Sequence, residues 1–149
     1  MRIELQTKAT RQVRELVALS DAYMNSLYPA ESNHLVDIDR MFAETFEFYV
    51  MKDRTESVGC IGISLHGENP ELKRMFVKDG YRGRGYGRRL LAFAIDRCRR
   101  LGCAKIQLET GIRQPEAIGL YETCGFRKIP PFGSYTEDPL SAFYELSCR

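Results

Sequence analysis

The 149-residue sequence has no run of about 20 apolar residues, the length that a membrane-spanning helix needs. It has no linker rich in Pro or Ser, no internal repeat and no tract of low complexity, so we expect one domain over residues 1–149. Its charges nearly cancel, with 22 Lys and Arg against 20 Asp and Glu. This balance argues against nucleic acid or an anionic membrane as the default partner.

The five cysteines include no C-x-x-C pair, and only two histidines accompany them, so no set of metal ligands stands out. Their odd number indicates reduced thiols rather than a disulfide framework. Cys60, Cys98 and Cys124 fall on apolar faces, which is typical of small core residues. The first ten residues alternate polar and apolar, without the core of a signal peptide. We therefore expect a cytoplasmic protein without a metal.

Apolar residues at helical spacing predict the main helices. One helix begins at Arg11 and ends before Tyr28-Pro29, and a short second helix is predicted over residues 37–44. The most continuous apolar stripe runs from Leu90 to Leu101, and Gly102 follows it as a left-handed cap. A further helix begins at Pro115.

Alternating segments predict the strands between these helices. Residues 46–51 and 58–65 form a predicted hairpin, and residues 72–77 and 105–110 form the next two strands. The full predicted order is β-α-α-β-β-β-α-β-α-β-β. This order predicts an α/β fold with a mixed, mostly antiparallel sheet of about seven strands, flanked by about four helices.

A glycine-rich segment with the sequence RGRGYGRR, residues 82–89, lies between a predicted strand and the most continuous helix. Glycines let successive backbone N–H groups turn toward one point, and the first helical turn adds its own unpaired N–H groups. We therefore predict an anion site, with phosphate as its natural occupant. The segment lacks the G-x-G-x-x-G spacing of a dinucleotide fold and the Gly-Lys-Ser/Thr of a P-loop.

Two other interpretations of this segment stay open. It is either a basic, solvated helix start, or part of a nucleic-acid surface built from the arginines between positions 82 and 100. The second is disfavoured because only Tyr81 and Tyr86 are interleaved with those arginines and able to stack on bases. No nucleic-acid partner is therefore expected.

Two motifs at a defined spacing carry a family resemblance. The segment LKRMFV at 72–77 precedes R-x-x-G-x-G at 82–87, and A-x-x-L-Y-x-x-x-G-F follows at 117–126. The pair resembles the GNAT superfamily of N-acetyltransferases, whose acetyl-CoA motif is Arg/Gln-x-x-Gly-x-Gly/Ala, and the predicted order of elements matches its fold. The sequence departs from the family at Gln114, where Asn is frequent.

The resemblance implies acetyl-CoA as co-substrate. Backbone N–H groups of residues 82–87 would hold the pyrophosphate, and the strand edge at 75–77 would pair with the pantetheine arm. Strands 72–77 and 105–110 would splay apart and hold the thioester between them. The expected cofactor-binding residues are Met75, Phe76, Val77, Arg82, Gly83, Arg84, Gly85, Tyr86, Gly87, Arg88 and Gln114.

The implied reaction is direct attack of an amine on the thioester carbonyl. Tyr121 matches the tyrosine that protonates the departing thiolate in many family members, although its helical spacing also suits a core aromatic. Glu71 is the expected base. Glu109, His34 and an ordered-water relay are the alternatives, and either carboxylate also suits a solvated strand end.

The expected acceptor is a primary amine of a small molecule or peptide, recognised by the segments 28–34 and 129–135. Its charge would be attracted by Glu31, Glu47 or Glu68. The substrate-side residues are Tyr28, Glu31, His34 and Glu109. A non-catalytic module that binds acyl-CoA is the alternative function. A homodimer is a further expectation, because many relatives are dimers and the last strand offers an edge for pairing.

Overall fold

The computed structural model describes residues 1–148, which form seven strands and three α-helices. In chain order these are β1 (Arg2–Gln6), α1 (Arg11–Leu27), β2 (Phe46–Asp53), β3 (Glu56–Ser64), β4 (Glu71–Val77), α2 (Tyr86–Arg100), β5 (Lys105–Gly111), α3 (Pro115–Thr123), β6 (Arg127–Ile129) and β7 (Ser141–Ser147). No helix within residues 1–148 is long and apolar enough to cross a membrane.

All seven strands belong to one sheet, in the order β1-β2-β3-β4-β5-β7-β6. Each neighbouring pair is antiparallel except β4 and β5, which are parallel. The predicted mixed, mostly antiparallel sheet is therefore confirmed. The parallel pair arises because α2 carries the chain back across the sheet between β4 and β5.

Alternate residues of β2 separate two hydrophobic clusters, one on each face of the sheet. Phe48 and Val50 pack with α1, while Tyr49 and Met51 pack with the buried stripe of α2. That stripe contains Leu90, Leu91, Ala94, Ile95 and Cys98. Helices therefore cover both faces, as a sheet with apolar residues on both sides requires.

The predicted second helix is wrong in type and length. Residues Ile38–Phe42 form a 3-10 helix, and Asp37 before it makes no side-chain capping bond. A segment of five residues between extended neighbours is too short for a stable run of α-helical hydrogen bonds, whereas 3-10 geometry suits such short segments. Met41 is nevertheless fully buried. A second 3-10 helix covers Ala30–Ser32.

An ion pair fastens α2 to β2. The guanidinium of Arg97 donates from Nε to Glu47 at 3.0 Å and from a terminal nitrogen to the other carboxylate oxygen at 2.9 Å. The hydroxyl of Tyr49 donates to the same carboxylate at 2.6 Å. These hydrogen bonds hold the pKa of Glu47 below its usual range. Glu47, one of the three carboxylates that the sequence suggested for attracting the acceptor, is therefore paired with Arg97 within the fold.

We predict that Glu47→Gln lowers the free energy of unfolding at pH 7 by about 1 kcal/mol, since a neutral amide cannot form the same charged, bidentate pair. The folded-state pKa of Glu47 is depressed, so its contribution is complete above the unfolded-state pKa and is lost as pH falls through the folded-state pKa. Chemical denaturation at pH 7 and at pH 3 should therefore show a difference that shrinks in acid. Glu137→Gln, at an exposed position, is the matched control.

Candidate active site

Strands β4 and β5 separate soon after they meet. Their pairing is limited to Glu71 opposite Gln107 and Leu72 opposite Leu108. Beyond Leu72, the edge of β4 that faces β5 is free of strand partners among residues 1–148. The two strands therefore splay apart, as the family resemblance implied, and an opening forms inside the sheet.

A bulge in β4 accompanies this separation. Phe76 lies opposite Cys60, but Lys73 lies opposite Gly62, so β4 has one residue more than β3 over this stretch. Arg74 takes a positive φ of 59° here, a conformation that L-residues adopt at a cost in energy. Its side chain, 3% exposed, pairs with Asp21 of α1 and donates to the carbonyl of Val36. Contacts with two other segments thus hold the bulge.

The glycine-rich turn forms an anion site at the start of α2. Gly83 and Gly85 have φ angles of 77° and 82°, so both lie in the left-handed region that glycine tolerates. Within residues 1–148, no backbone N–H from Arg82 to Arg88 donates to a carbonyl. These N–H groups and the positive end of the α2 dipole are therefore available to an anionic group.

A groove of about 730 Å³ runs from this turn along β4 to the start of α3. It is lined by every expected cofactor residue apart from Arg84, whose guanidinium lies over the Tyr81 ring instead. Arg82 donates from Nε to the carbonyl of Val77 at 3.0 Å and stacks over the ring of Tyr23 at 4.4 Å. The groove therefore has a polar, basic end and a strand edge along one wall.

A smaller cavity of about 80 Å³ lies between β4 and β5. Both spaces are lined by Tyr23, Met75, Phe76 and Gln114, so the groove and the cavity meet at the free edge of β4. The smaller cavity also contains four of the residues that the sequence analysis singled out, namely Glu71, Glu109, Tyr121 and His34.

Tyr121 is buried at the wall of the smaller cavity. Burial, and then the nearby charge of Glu109, raise the pKa of its phenol well above the usual value. Burial also raises the pKa of the Glu109 carboxyl, although that carboxylate accepts a hydrogen bond from Ser141 Oγ at 2.9 Å. The cavity thus contains a phenol that keeps its proton at pH 7 and a carboxylate with enhanced basicity.

Tyr135 is a site residue that the sequence analysis did not identify. Its hydroxyl donates to Glu71 at 2.6 Å and accepts from Lys73 Nζ at 2.8 Å, and Lys73 Nζ lies 3.4 Å from the same carboxylate. The ring also contacts His34 edge-on, with centroids 5.1 Å apart. The sequence indicated Tyr135 only through its position in residues 129–135, the segment expected to recognise the acceptor.

The other expected substrate residues lie farther out. Tyr28 is buried, with its hydroxyl 3.1 Å from the N–H of Arg113 and 3.4 Å from Gln114 Oε1, so it supports the start of α3 and lines neither space. Glu31 is exposed in the 3-10 helix Ala30–Ser32, and Glu68 is exposed in the turn before β4. Among residues 1–148, no cluster of three or more His, Cys, Asp and Glu could hold a metal ion.

Comparison with known proteins identifies the family. The model of the acetyltransferase (GNAT) family matches residues 13–126. The chain belongs to the GNAT family of acetyltransferases. It is 43% identical over 135 residues to an IAA acetyltransferase of Azospirillum brasilense, covering 89% of this chain and 88% of the relative.

Solved structures share the GNAT fold. A putative acyl-CoA N-acyltransferase from Klebsiella pneumoniae superposes with a TM-score of 0.82 at 29% identity, over 99% of this chain and 97% of the other. A GNAT family acetyltransferase from Elizabethkingia anophelis, with acetyl-CoA bound, has a TM-score of 0.73 at 21% identity over 98% and 97% of the two chains. The predicted fold class is therefore confirmed for this GNAT acetyltransferase.

The end of β5 has no room for a side chain at Gly111. A Cβ atom there would lie 1.9 Å from the hydroxyl oxygen of Tyr28. We predict that Gly111→Ala displaces Tyr28 and lowers the free energy of unfolding by about 1–3 kcal/mol, as overpacking does elsewhere. Thermal and chemical denaturation measure the loss. Gly119→Ala is the control, because Gly119 lies within α3 with open space around it, and alanine there should raise stability by about 0.5–1 kcal/mol. Equal effects of the two substitutions would contradict this packing argument.

Proposed function

We propose that this GNAT acetyltransferase transfers the acetyl group of acetyl-CoA to a primary amine of a small molecule or peptide, by direct attack in a ternary complex. The observation that carries this proposal is the meeting of the groove and the smaller cavity at the free edge of β4. An acyl donor along the groove and an amine in the cavity would approach each other there.

The groove suits acetyl-CoA along its whole length. The N–H groups of residues 82–88 and the charge of Arg88 fit a pyrophosphate, which is anionic and accepts several hydrogen bonds. The free edge of β4 at Met75–Val77 fits the amides of pantetheine, which pair as a strand would. The acetyl-CoA-bound structure from E. anophelis supports the same assignment by its shared fold.

The chain also supplies groups for the transfer itself. A backbone N–H near the bulge, between Met75 and Val77, would donate to the oxygen that becomes negative during attack. Tyr121 would protonate the departing sulfur, and its raised pKa keeps that proton in place at pH 7. The co-substrate supplies the activated acetyl group.

Three broader expectations remain predictions from the sequence. They are a single domain over residues 1–149, a cytoplasmic location inferred from reduced cysteines, and a homodimer.

Calorimetry with acetyl-CoA tests the co-substrate, and we expect saturable binding at micromolar to millimolar concentration. Gly85→Ala should weaken that binding by at least tenfold, because alanine at a φ of 82° distorts the N–H groups at the start of α2. Gly102→Ala is the matched control, since Gly102 has a φ of 78° beyond the other end of the same helix. It should lose similar stability and keep its affinity. The absence of acetyl-CoA binding by the wild-type protein would refute the proposal.

Tyr121→Phe tests the proton donor. We expect kcat to fall by about 100-fold or more, the usual effect of losing a general acid, with the affinity for acetyl-CoA unchanged. Thiol release with a panel of amines is the measurement. Tyr144→Phe is the control, because Tyr144 is also buried but its hydroxyl bonds to Glu122 outside both spaces. If acetyl-CoA binds and no amine stimulates thiol release, the chain is instead a non-catalytic acyl-CoA-binding module.

A further inference from the structure

We propose that Glu109 binds the ammonium group of the acceptor and takes a proton from it, and that the acceptor is a small primary amine with one positive charge. This inference rests on the proposed function. It assigns to Glu109 the role that the sequence analysis expected of Glu71.

The place of Glu109 along the opening is the first argument. On β5, the last residues paired with β4 are Gln107 and Leu108, so Glu109 is the first residue past the point of separation. Glu71 lies at the closed end, opposite Gln107. Because the free edge of β4 begins beyond Leu72, Glu109 lies nearer than Glu71 to the place where the acyl group would sit.

The partners of the two carboxylates are the second argument. Glu71 Oε2 accepts the Tyr135 hydroxyl at 2.6 Å and forms an ion pair with Lys73 at 3.4 Å. This carboxylate already has a hydroxyl and a cation as partners, which an incoming ammonium group would have to displace. Among residues 1–148, the one hydrogen bond that Glu109 accepts comes from the hydroxyl of Ser141, and no Lys, Arg or His there forms an ion pair with it.

The charges around the cavity indicate the class of acceptor. Lys73 balances Glu71, and Arg74 is paired with Asp21. With His34 neutral, one uncompensated negative charge remains, on Glu109. A single ammonium group neutralises it. A diamine would bring a second, unpaired positive charge, and an amino acid would bring a carboxylate for which the cavity has no free cation.

The volume sets the size of the group that enters. A cavity of about 80 Å³ is several times the roughly 10–15 Å³ that a single water needs, and it is far smaller than the groove of about 730 Å³. This suits the amine end of a small molecule.

The surroundings of Glu109 support its role as a base. Burial raises the pKa of its carboxyl toward the working range, where a general base is most effective. The titratable groups that face it from the neighbouring elements are Tyr28, His34, Glu71, Lys73, Tyr121 and Tyr135. Glu71 opposes ionisation of Glu109 and Lys73 favours it, and His34 would also favour it in its protonated form.

The proton balance is complete with these residues. Glu109 takes one proton from the ammonium group, and the freed nitrogen lone pair forms the C–N bond as the C–S bond breaks. Tyr121 gives its proton to sulfur and receives the second proton from nitrogen. Glu109 then releases its proton to solvent, so the products are the acetylated amine, CoA thiol and one proton.

Glu109→Gln tests the assignment, since the amide oxygen can still accept from Ser141. We expect kcat to fall by about 100-fold or more and the remaining rate to rise about tenfold per pH unit up to the pKa of the amine, because only free amine then reacts. The affinity for acetyl-CoA should not change. Calorimetric binding of n-butylamine to the complex with CoA should weaken at least tenfold, which is a readout independent of turnover.

Glu71→Gln is the rival variant, and we expect it to lose less than about tenfold in kcat. Because Glu71 opposes ionisation of Glu109, the pH profile of this variant should shift to lower pH without the tenfold rise per pH unit expected of Glu109→Gln. A larger loss in Glu71→Gln than in Glu109→Gln, or an unchanged rate in Glu109→Gln, would overturn the inference. Neither result would contradict the proposed function. That function is refuted only if the wild-type protein does not bind acetyl-CoA or acetylates no amine.

Three probes of similar length test the acceptor class in the wild-type protein: n-butylamine, 1,4-diaminobutane and β-alanine. We expect kcat/KM for n-butylamine to exceed the other two by tenfold or more. A preference for the diamine or for β-alanine, or turnover of none of the three, would contradict the assigned class.

Discussion

The separation of β4 from β5 after Leu72 is the constraint on which both spaces depend. Parallel neighbours in a sheet normally pair along their length, because unpaired backbone groups inside a protein are unfavourable. Here the bulge at Arg74 turns β4, and the rest of its edge is left for a partner that is not a strand. Under the proposed function, the peptide-like amides of the acyl donor would satisfy those groups, and this would account for the opening in the sheet.

Two local fields of opposite sign lie at the two ends of this opening. The turn at residues 82–89 combines arginines with the positive end of α2, whereas the smaller cavity contains Glu109, and its other carboxylate, Glu71, is paired with Lys73. The near-neutral composition of the chain hides this arrangement, because the charges cancel only in the sum. A polyanionic donor and a cationic acceptor would thus be drawn to different ends of one continuous space.

Local signals in the sequence were enough to predict the mixed, mostly antiparallel class of the sheet, the main helices and the glycine-rich turn. Apolar spacing predicted the buried stripe of α2, and Gly85 lies at the turn in the left-handed conformation that glycine favours. The 3-10 helix at Ile38–Phe42 was missed because apolar spacing does not distinguish it from a short α-helix. Tyr135 was missed as a site residue because its bond to Glu71 joins positions 64 apart and depends on tertiary packing.

Arg74 links the bulge of β4 to two neighbouring segments. Its guanidinium donates to Asp21 on α1 and to the carbonyl of Val36 in the segment beside the cavity. The planar, forked guanidinium can make both contacts at once, whereas the ammonium group of a lysine could not make them with the same geometry. Its Nε is buried without a partner among residues 1–148, an unfavourable feature that persists because the surrounding contacts compensate for it. The same residue carries the positive φ of the bulge. One residue therefore contributes the bulge of β4 by its backbone and contacts α1 and the Val36 segment by its side chain.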